Sequence, residues 1–330
     1  MNKKTLKILL CISLIVVIIL SVSCNTQEKE EPSGLSMGSL EYPQFVYPAS
    51  ESMISKNQII VDLKEDAKVK KDTLFNTEVP IYIASSRRQG DAFDEEILKT
   101  FKFDNYKSSN TGSLTTYDKD NETITIWSNG SFSYRKSYDT DRSDFAFYAT
   151  REELLEKAKD FLSINGYLPD DFVPAEEVLE SGVILFENGD EKEIITERGV
   201  MFNRIINGIT VHGNTFISAS FDTEGICHVS VAYRDLKEIQ KVKLIGYSEA
   251  IDRIKHTTSC IDIETSELQS EIEKAVVMDV ELVYYDYAKD DTPSYVQPCY
   301  LFKGIATDMD LNEIKFTVLV PALLEEYYKN

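Results

Sequence analysis

The chain has 330 residues, of which 42% are hydrophobic and 11% aromatic. This content suffices for sizeable cores and excludes a wholly disordered chain, and the length leads us to expect two or three modules. Fifty-six acidic residues against 35 basic ones give a formal net charge of −21. Because such a field repels phosphate backbones, we expect no nucleic acid among the partners.

Residues 1–24 have the pattern of a signal peptide or membrane anchor. Three lysines precede an apolar run over residues 8–22, and a basic start before an apolar segment of this length is typical of export. Cys24 follows small residues and precedes a polar stretch, which resembles a bacterial lipoprotein signal. We therefore predict that Cys24 is lipidated and holds the protein on the extracytoplasmic face of the cell membrane. A single uncleaved transmembrane anchor is the alternative, and it gives the same topology.

The rest of the chain divides by composition and by the position of helices. Residues 25–50 are rich in Glu, Ser, Gly and Pro without apolar periodicity, which predicts a flexible tether. Three modules are then predicted, over residues 51–148, 149–246 and 247–330. Each contains one short amphipathic helix and a group of strands.

The helix of the central module has the clearest signals. Thr150 is a favourable N-cap, Glu153 completes a capping box, and Gly166 lies just past the end of the apolar stripe. A first helix is predicted over residues 91–101, and a third is predicted to begin at Ser248. The strands after them alternate polar and apolar residues. The predicted fold class is therefore α+β, made of repeated modules in which one helix packs on an antiparallel β-meander.

The central module also resembles a known family. Arg204 to Val211 reads R-x-x-N-G-I-x-V, with a hairpin signal at Asn207-Gly208, and Asp222 to Gly225 reads D-x-x-G. The order and spacing of these residues resemble those of PepSY-type modules. The C-terminal strands, at residues 280–285, 295–298 and 320–322, resemble those of YycH/YycI-type proteins, which are extracytoplasmic regulators associated with a membrane sensor kinase.

The resemblance covers about residues 150–322. It implies a PepSY-like α+β fold and a non-catalytic role in binding an envelope protein such as a sensor kinase or a protease. Those regulators contact their kinase through a transmembrane helix, which a lipid anchor cannot do. The particular kinase is therefore not carried over to this chain.

Catalytic and metal-binding patterns are missing from the sequence. There is no H-E-x-x-H or C-x-x-C spacing, no nucleophile elbow, no P-loop and no G-x-G-x-x-G fingerprint. Cys227 and His228 are adjacent in a predicted strand, so they point to opposite faces and cannot share a metal. Cys227 with His212 is the one conceivable nucleophile and base. We predict no catalytic, cofactor-binding or metal-binding residues, and His212, His228 and His256 are interpreted as structural or surface histidines.

Two further clusters have alternative interpretations. Cys227, Cys260 and Cys299 are an odd number, so either one bridge such as Cys260–Cys299 forms in an oxidising compartment or all three are core thiols. Asp286, Asp290 and Asp291 lack an EF-hand pattern, and we expect a solvated loop rather than a Ca²⁺ site.

Tyrosines concentrate near the C-terminus, at positions 284, 285, 287, 295, 300, 327 and 328. Strand alternation would expose some of them as a binding surface. The ordinary preference of tyrosine for sheets explains the cluster without one.

These patterns predict a membrane-anchored extracytoplasmic interaction or regulatory protein that is not an enzyme and needs no cofactor. The alternative is a lipoprotein that binds a small ligand, a peptide or a glycan. A carboxylate-based hydrolase is a third hypothesis, because the separation of acidic side chains in space cannot be read from sequence.

Overall fold

The structure is a computed structural model, and it describes most of the chain beyond the N-terminal segment. The described residues are 35, 38–42, 59–64, 74–75, 77–88, 90–137, 146–187, 190–255, 260–263, 272–286 and 294–328. The predicted signal peptide with Cys24, and the predicted tether apart from residues 35 and 38–42, lie outside them. The described residues from 38 onward belong to one unit, Met37–Asn330.

The described residues form 16 strands and three α-helices. The strands are β1 (Ile59–Val61), β2 (Glu78–Ser85), β3 (Lys107–Asn110), β4 (Leu114–Lys119), β5 (Glu122–Trp127), β6 (Phe132–Lys136), β7 (Phe172–Glu187), β8 (Asp190–Ile206), β9 (Ile209–Gly213), β10 (Phe216–Asp222), β11 (Gly225–Ala232), β12 (Asp235–Lys243), β13 (Cys260–Ile263), β14 (Ile272–Asp286), β15 (Ser294–Asp308) and β16 (Glu313–Pro321). The helices are α1 (Asp91–Thr100), α2 (Arg151–Ile164) and α3 (Tyr247–Ile254), and a 3₁₀ turn spans Glu325–Tyr327.

Eight strands form an antiparallel region that two helices cover on one face. The strand order is β3-β4-β5-β6-β11-β10-β8-β7, and every neighbouring pair is antiparallel. Ile97 and Leu98 of α1, and Leu154 and Leu162 of α2, are buried against the inward side chains of these strands. Because successive strand residues point to opposite faces, the helices account for only one face of this region.

The remaining strands form a mixed region around β14 and β15. β14 pairs antiparallel with β15 and parallel with both β1 and β9. β15 pairs antiparallel with β16 and with β2, and β2 in turn pairs with β12. β9 follows β8 through a tight hairpin, so it joins the two regions into one continuous sheet. Helix α3 contacts β16, with Ala250 and Ile254 buried.

The predicted fold class, repeated modules of one helix on an antiparallel β-meander, is wrong. Strands from all three predicted modules pair in one large mixed sheet: β2 of the first module lies between β12 of the second and β15 of the third. Backbone groups at a strand edge favour a partner wherever one is available. Periodicity identifies strands but does not say which of them pair. The boundaries at 148/149 and 246/247 stay predictions.

Two local predictions are confirmed. In α2 the amide of Glu153 donates to Thr150 Oγ1 at 3.2 Å, and the Thr150 amide donates to Glu153 Oε2 at 2.9 Å, which completes the capping box. Asn207 and Gly208 have φ values of 51° and 78°, as a two-residue hairpin turn requires. The predicted start of α3 is wrong, because its N-cap is Gly246 and Ser248 lies in its first turn.

The chain segment before the sheet packs beside the end of the chain. The Leu40 amide donates to the Tyr327 carbonyl at 2.9 Å, and Leu40 is 1% exposed. Tyr42 stacks on Tyr328 with ring centroids 4.5 Å apart. These contacts lie within the range that the sequence predicts as tether.

A buried ion pair connects the antiparallel region to β14. Arg234 follows β11 and pairs with Asp286 at the end of β14, and both side chains are 1% exposed. Thr215 Oγ1 donates to Asp286 at 3.0 Å, and Arg234 also donates to Ser294 Oγ at 2.6 Å. Arg204 of β8 donates to the Arg234 carbonyl at 2.7 Å. The pair therefore gathers segments from β8, β11, β14 and β15 at one point.

We expect Asp286→Asn to lower the free energy of unfolding by about 3–5 kcal/mol, because it leaves the buried Arg234 guanidinium without its carboxylate. Urea denaturation of the purified protein measures the loss. Glu224→Gln is the matched control, since it breaks the exposed pair of Lys136 and Glu224, and it is expected to cost less than about 1 kcal/mol. Equal losses in the two variants would contradict the role assigned to the buried pair.

Candidate functional site

The face of the antiparallel region opposite α1 and α2, called the outer face below, carries a row of hydroxyl side chains. Strand alternation directs these residues outward, between the inward core positions. Cross-strand pairing joins one residue from each of six adjacent strands, in the order Ser109, Thr116, Thr125, Ser133, Ser230 and Ser218. With strands about 4.8 Å apart, this hydroxyl row is about 24 Å long.

A second polar row runs beside the hydroxyl row and includes a groove. Arg135, His228, Ser220 and Gly199 are paired in this order across β6, β11, β10 and β8. A groove of about 230 Å³ is lined by three of these residues and by the side of β7 and β8, namely Arg135, Ser220, His228, Leu179, Glu180, Ser181 and Glu197. A Cβ at Gly199 would lie 2.6 Å from the Ala219 carbonyl oxygen, so glycine permits the close approach of β8 and β10.

The ionisable groups that line the groove are Arg135, His228, Glu180 and Glu197. Burial lowers the pKa of His228 below its usual value, and the positive charge of Arg135 lowers it further. His228 is therefore neutral at neutral pH. Arg135 is exposed and forms no ion pair within the described part of the chain. The groove thus presents one arginine and two glutamates around a neutral imidazole, and Glu180 is paired with Arg198.

The serine that contacts His228 does not form a triad with it. Ser230 Oγ lies 3.1 Å from His228 Nε2, but no carboxylate among the described residues pairs with His228 to orient its ring, as a triad requires. Cys227 is 1% exposed and points to the core, whereas His228 lines the outer groove, so their predicted opposite orientation is confirmed. His212 is on β9 and Cys227 on β11, so the structure does not bring this candidate pair together.

Buried charges elsewhere in the antiparallel region are held in structural contacts. Asp94 of α1 is 4% exposed and accepts hydrogen bonds from Arg88 Nε at 3.0 Å and from the Tyr117 hydroxyl at 2.8 Å. Burial raises the pKa of Tyr117, and the Asp94 carboxylate raises it further. Among the described residues, no three His, Cys, Asp or Glu side chains converge as a metal site requires. Asp286 of the predicted solvated loop pairs with Arg234, and Asp290 and Asp291 lie outside the described residues.

The proposed bridge between Cys260 and Cys299 is excluded by strand order. Cys260 on β13 is opposite Leu319 of β16, and Cys299 on β15 is opposite Pro321 of the same strand. A whole strand therefore separates them, or about 9.6 Å in the sheet, whereas a disulfide needs Cα atoms within about 7 Å. Cys227 and Cys299 are buried thiols.

Four tyrosines of the cluster are buried and do not form the binding surface that alternation allows, whereas Tyr295 and Tyr327 are half-buried. Tyr284, Tyr285, Tyr300 and Tyr328 are at most 2% exposed, and Tyr287 lies outside the described residues. The Tyr284 hydroxyl donates to the Pro80 carbonyl at 2.7 Å. These rings are core residues because the C-terminal strands are covered on both faces at this point.

The outer face was missed by the sequence interpretation. Its signal was present as polar residues at every second position of β5, β6, β10 and β11. That alternation is common to any half-exposed strand, so only the register shows that hydroxyl groups align across six strands.

Solved structures with detectable similarity to the chain include one distant neighbour. No protein-family model and no curated protein matches the chain. The crystal structure of an uncharacterized protein from Eubacterium rectale has a TM-score of 0.48 and 11% identity, covering 84% of this chain and 92% of its own. Among the described residues, no helix has the length and apolar character needed to span a membrane.

We expect the His228 pKa, followed by NMR of the ring protons, to lie below the usual value near 6.5. Arg135→Gln should raise it, because the repulsion between guanidinium and imidazolium is removed. A lowered pKa in the folded state means that the free energy of unfolding decreases as the pH falls below about 6.5. The pKa of His212 is the internal control and should not change in Arg135→Gln. If the pKa of His228 does not change either, the proposed effect of the Arg135 charge on His228 is refuted.

Proposed function

We propose that this chain is a membrane-anchored extracytoplasmic protein that binds and regulates another envelope protein, such as a sensor kinase or a protease, without catalysing a reaction. The observation that carries the proposal is the outer face, a broad polar surface on a sheet whose other face is filled by α1 and α2. A surface of this kind suits recognition, because it offers area and hydrogen-bonding groups without an enclosed reaction site.

The chemistry of the ionisable groups supports binding over catalysis. Catalytic sites gather titratable groups with opposed pKa shifts in one cleft. Here the groove holds one neutral histidine, one arginine and two glutamates, of which Glu180 is paired with Arg198. The buried carboxylates of Asp94 and Asp286 accept hydrogen bonds from arginines in structural roles.

The sequence supports the location. The apolar run before Cys24 is typical of export, and the polar residues after it are typical of a tether that holds a domain away from a membrane surface. The resemblance of residues 150–322 to PepSY-type modules and YycH/YycI-type regulators supports a partner in the envelope. Lipidation of Cys24 belongs to this proposal.

We expect a photo-crosslinking amino acid at Ser133, in the middle of the hydroxyl row, to give a covalent adduct with one envelope protein in intact cells. The same amino acid at Lys157, on the exposed side of α2, is the matched control and should give none. Mass spectrometry identifies the adduct. Equal adducts from both positions, or none from Ser133, would rule out the outer face as the partner's surface.

A second candidate function, glycan binding, is favoured by the composition of the outer face. Protein interfaces are enriched in aromatic residues and depleted in serine, whereas the hydroxyl row offers donors and acceptors in a line. Trp127 lies on the same face at the end of β5, two residues from Thr125, and is 37% exposed. Its ring provides a flat apolar surface beside polar groups, which suits the apolar side of a sugar ring.

Because Trp127 is the only tryptophan in the chain, its fluorescence reports directly on this face. We expect soluble fragments of peptidoglycan glycan to shift the emission of Trp127 to shorter wavelength in a saturable way if the second function holds. Ser133→Ala and Thr125→Ala, which remove one hydroxyl group each, should weaken the response. An emission spectrum that does not change with any fragment would remove this candidate and leave the protein partner.

A further inference from the structure

The turn between β15 and β16 presents two large apolar side chains to solvent. The strands remain paired up to Thr307 and Glu313. Beyond this pair, Met309 is 66% exposed and Leu311 is 75% exposed. Turns of this length usually carry Gly, Asn, Asp or Ser. We call Met309 and Leu311 the apolar tip.

The apolar tip is held in a fixed shape by Asp308. This residue is fully buried, and its Oδ1 accepts hydrogen bonds from the amides of Asp310 at 3.0 Å and Asn312 at 2.8 Å. Its Oδ2 accepts a hydrogen bond from Asn312 Nδ2 at 2.9 Å, and the Leu311 amide donates to the Asp308 carbonyl at 3.0 Å. The exposed side chains therefore project from an ordered turn, which lowers the entropy lost when they bind.

Leu311 occupies a backbone conformation that disfavours its side chain. Its φ is +68°, in the left-handed region that glycine and asparagine adopt at little cost and a branched apolar residue does not. A leucine here carries a steric cost in the free protein and exposes apolar surface to water. Neither effect stabilises the fold, and such local strain is found at binding and functional sites.

We propose that Met309 and Leu311 insert into an apolar pocket of the envelope protein that this chain binds. The inference rests on the proposed function and names the contact through which the partner is held. Rigid apolar side chains that enter a pocket are the residues that dominate interface energies. The apolar tip is thus assigned as the anchor of the complex.

The charges within the turn itself favour a protein pocket over a lipid surface, while the exposed Lys274 and Lys315 lie on the adjoining strands. Asp310 lies between the two apolar residues and Glu313 follows them, and both are exposed. Carboxylates at these positions are repelled by anionic headgroups. They match a pocket with an apolar floor and a rim of basic or amide groups, because complementary charge at a rim directs the encounter.

Leu311→Gly separates binding from folding. Glycine adopts a φ of +68° without steric cost, so the variant keeps or raises the melting temperature while it loses the apolar side chain. In intact cells we expect the adduct formed from the photo-crosslinking amino acid at Ser133 to fall by roughly tenfold or more in the Leu311→Gly chain, as for the loss of a central anchor. Leu311→Asn, which also tolerates this conformation, should behave in the same way.

Two further variants serve as controls. Leu311→Met keeps an apolar side chain and should keep most of the adduct. Ile164→Ser removes an apolar side chain that is 83% exposed at the end of α2, and it should leave the adduct unchanged. The photo-crosslinking amino acid placed at Met309 should label the same protein that Ser133 labels.

The outcomes distinguish this inference from the proposed function. If Ser133 labels a partner and Leu311→Gly leaves the yield unchanged, the apolar tip is not the anchor and the proposed function stands. If position 309 labels lipid and no protein, membrane insertion replaces the inference. If no position labels a protein, the proposed function and the inference both fail.

Discussion

The ion pair between Arg234 and Asp286 is the interaction on which the arrangement of the sheet depends. Removing two charges from water is costly, and the cost is offset only when each charge finds its partner and further hydrogen bonds. Here each charge is the partner of the other, and the further hydrogen bonds come from Thr215 and Ser294. Since Arg234 ends the antiparallel region and Asp286 ends β14, the pair penalises any arrangement that separates the two regions.

The outer face follows from the continuity of the sheet. α1 and α2 fill one face of the antiparallel region with apolar side chains, so polar residues at alternate positions are left on the other. Continuous pairing from β3 to β10 then converts six scattered serines and threonines into one row. The groove at Arg135 and His228 arises where β7 and β8 line the same face. The alignment of these polar residues is therefore a property of strand register rather than of any single motif.

The apolar tip and the outer face differ in what they cost the stability of the free protein. Small polar residues of the outer face that remain in contact with water, such as Ser109 and Ser133, cost little in the free protein, whereas Ser218 and Ser220 on the same face are buried. Leu311 does have a cost, since its backbone conformation and its exposure are both unfavourable. Stability alone would place glycine or asparagine at this turn. A polar surface and an exposed apolar turn thus lie on one continuous sheet.

The sequence by itself determined the local elements: the capping box of α2, the hairpin at Asn207-Gly208 and the alternation within each strand. These depend on residues a few positions apart, so their signals are contained in short segments. It did not determine that β2 lies between β12 and β15, that four of the tyrosines near the C-terminus are buried, or that six hydroxyl groups align. Those features depend on which distant strands share backbone hydrogen bonds and in which register. Only the tertiary structure decides that choice, because every strand edge offers the same donors and acceptors.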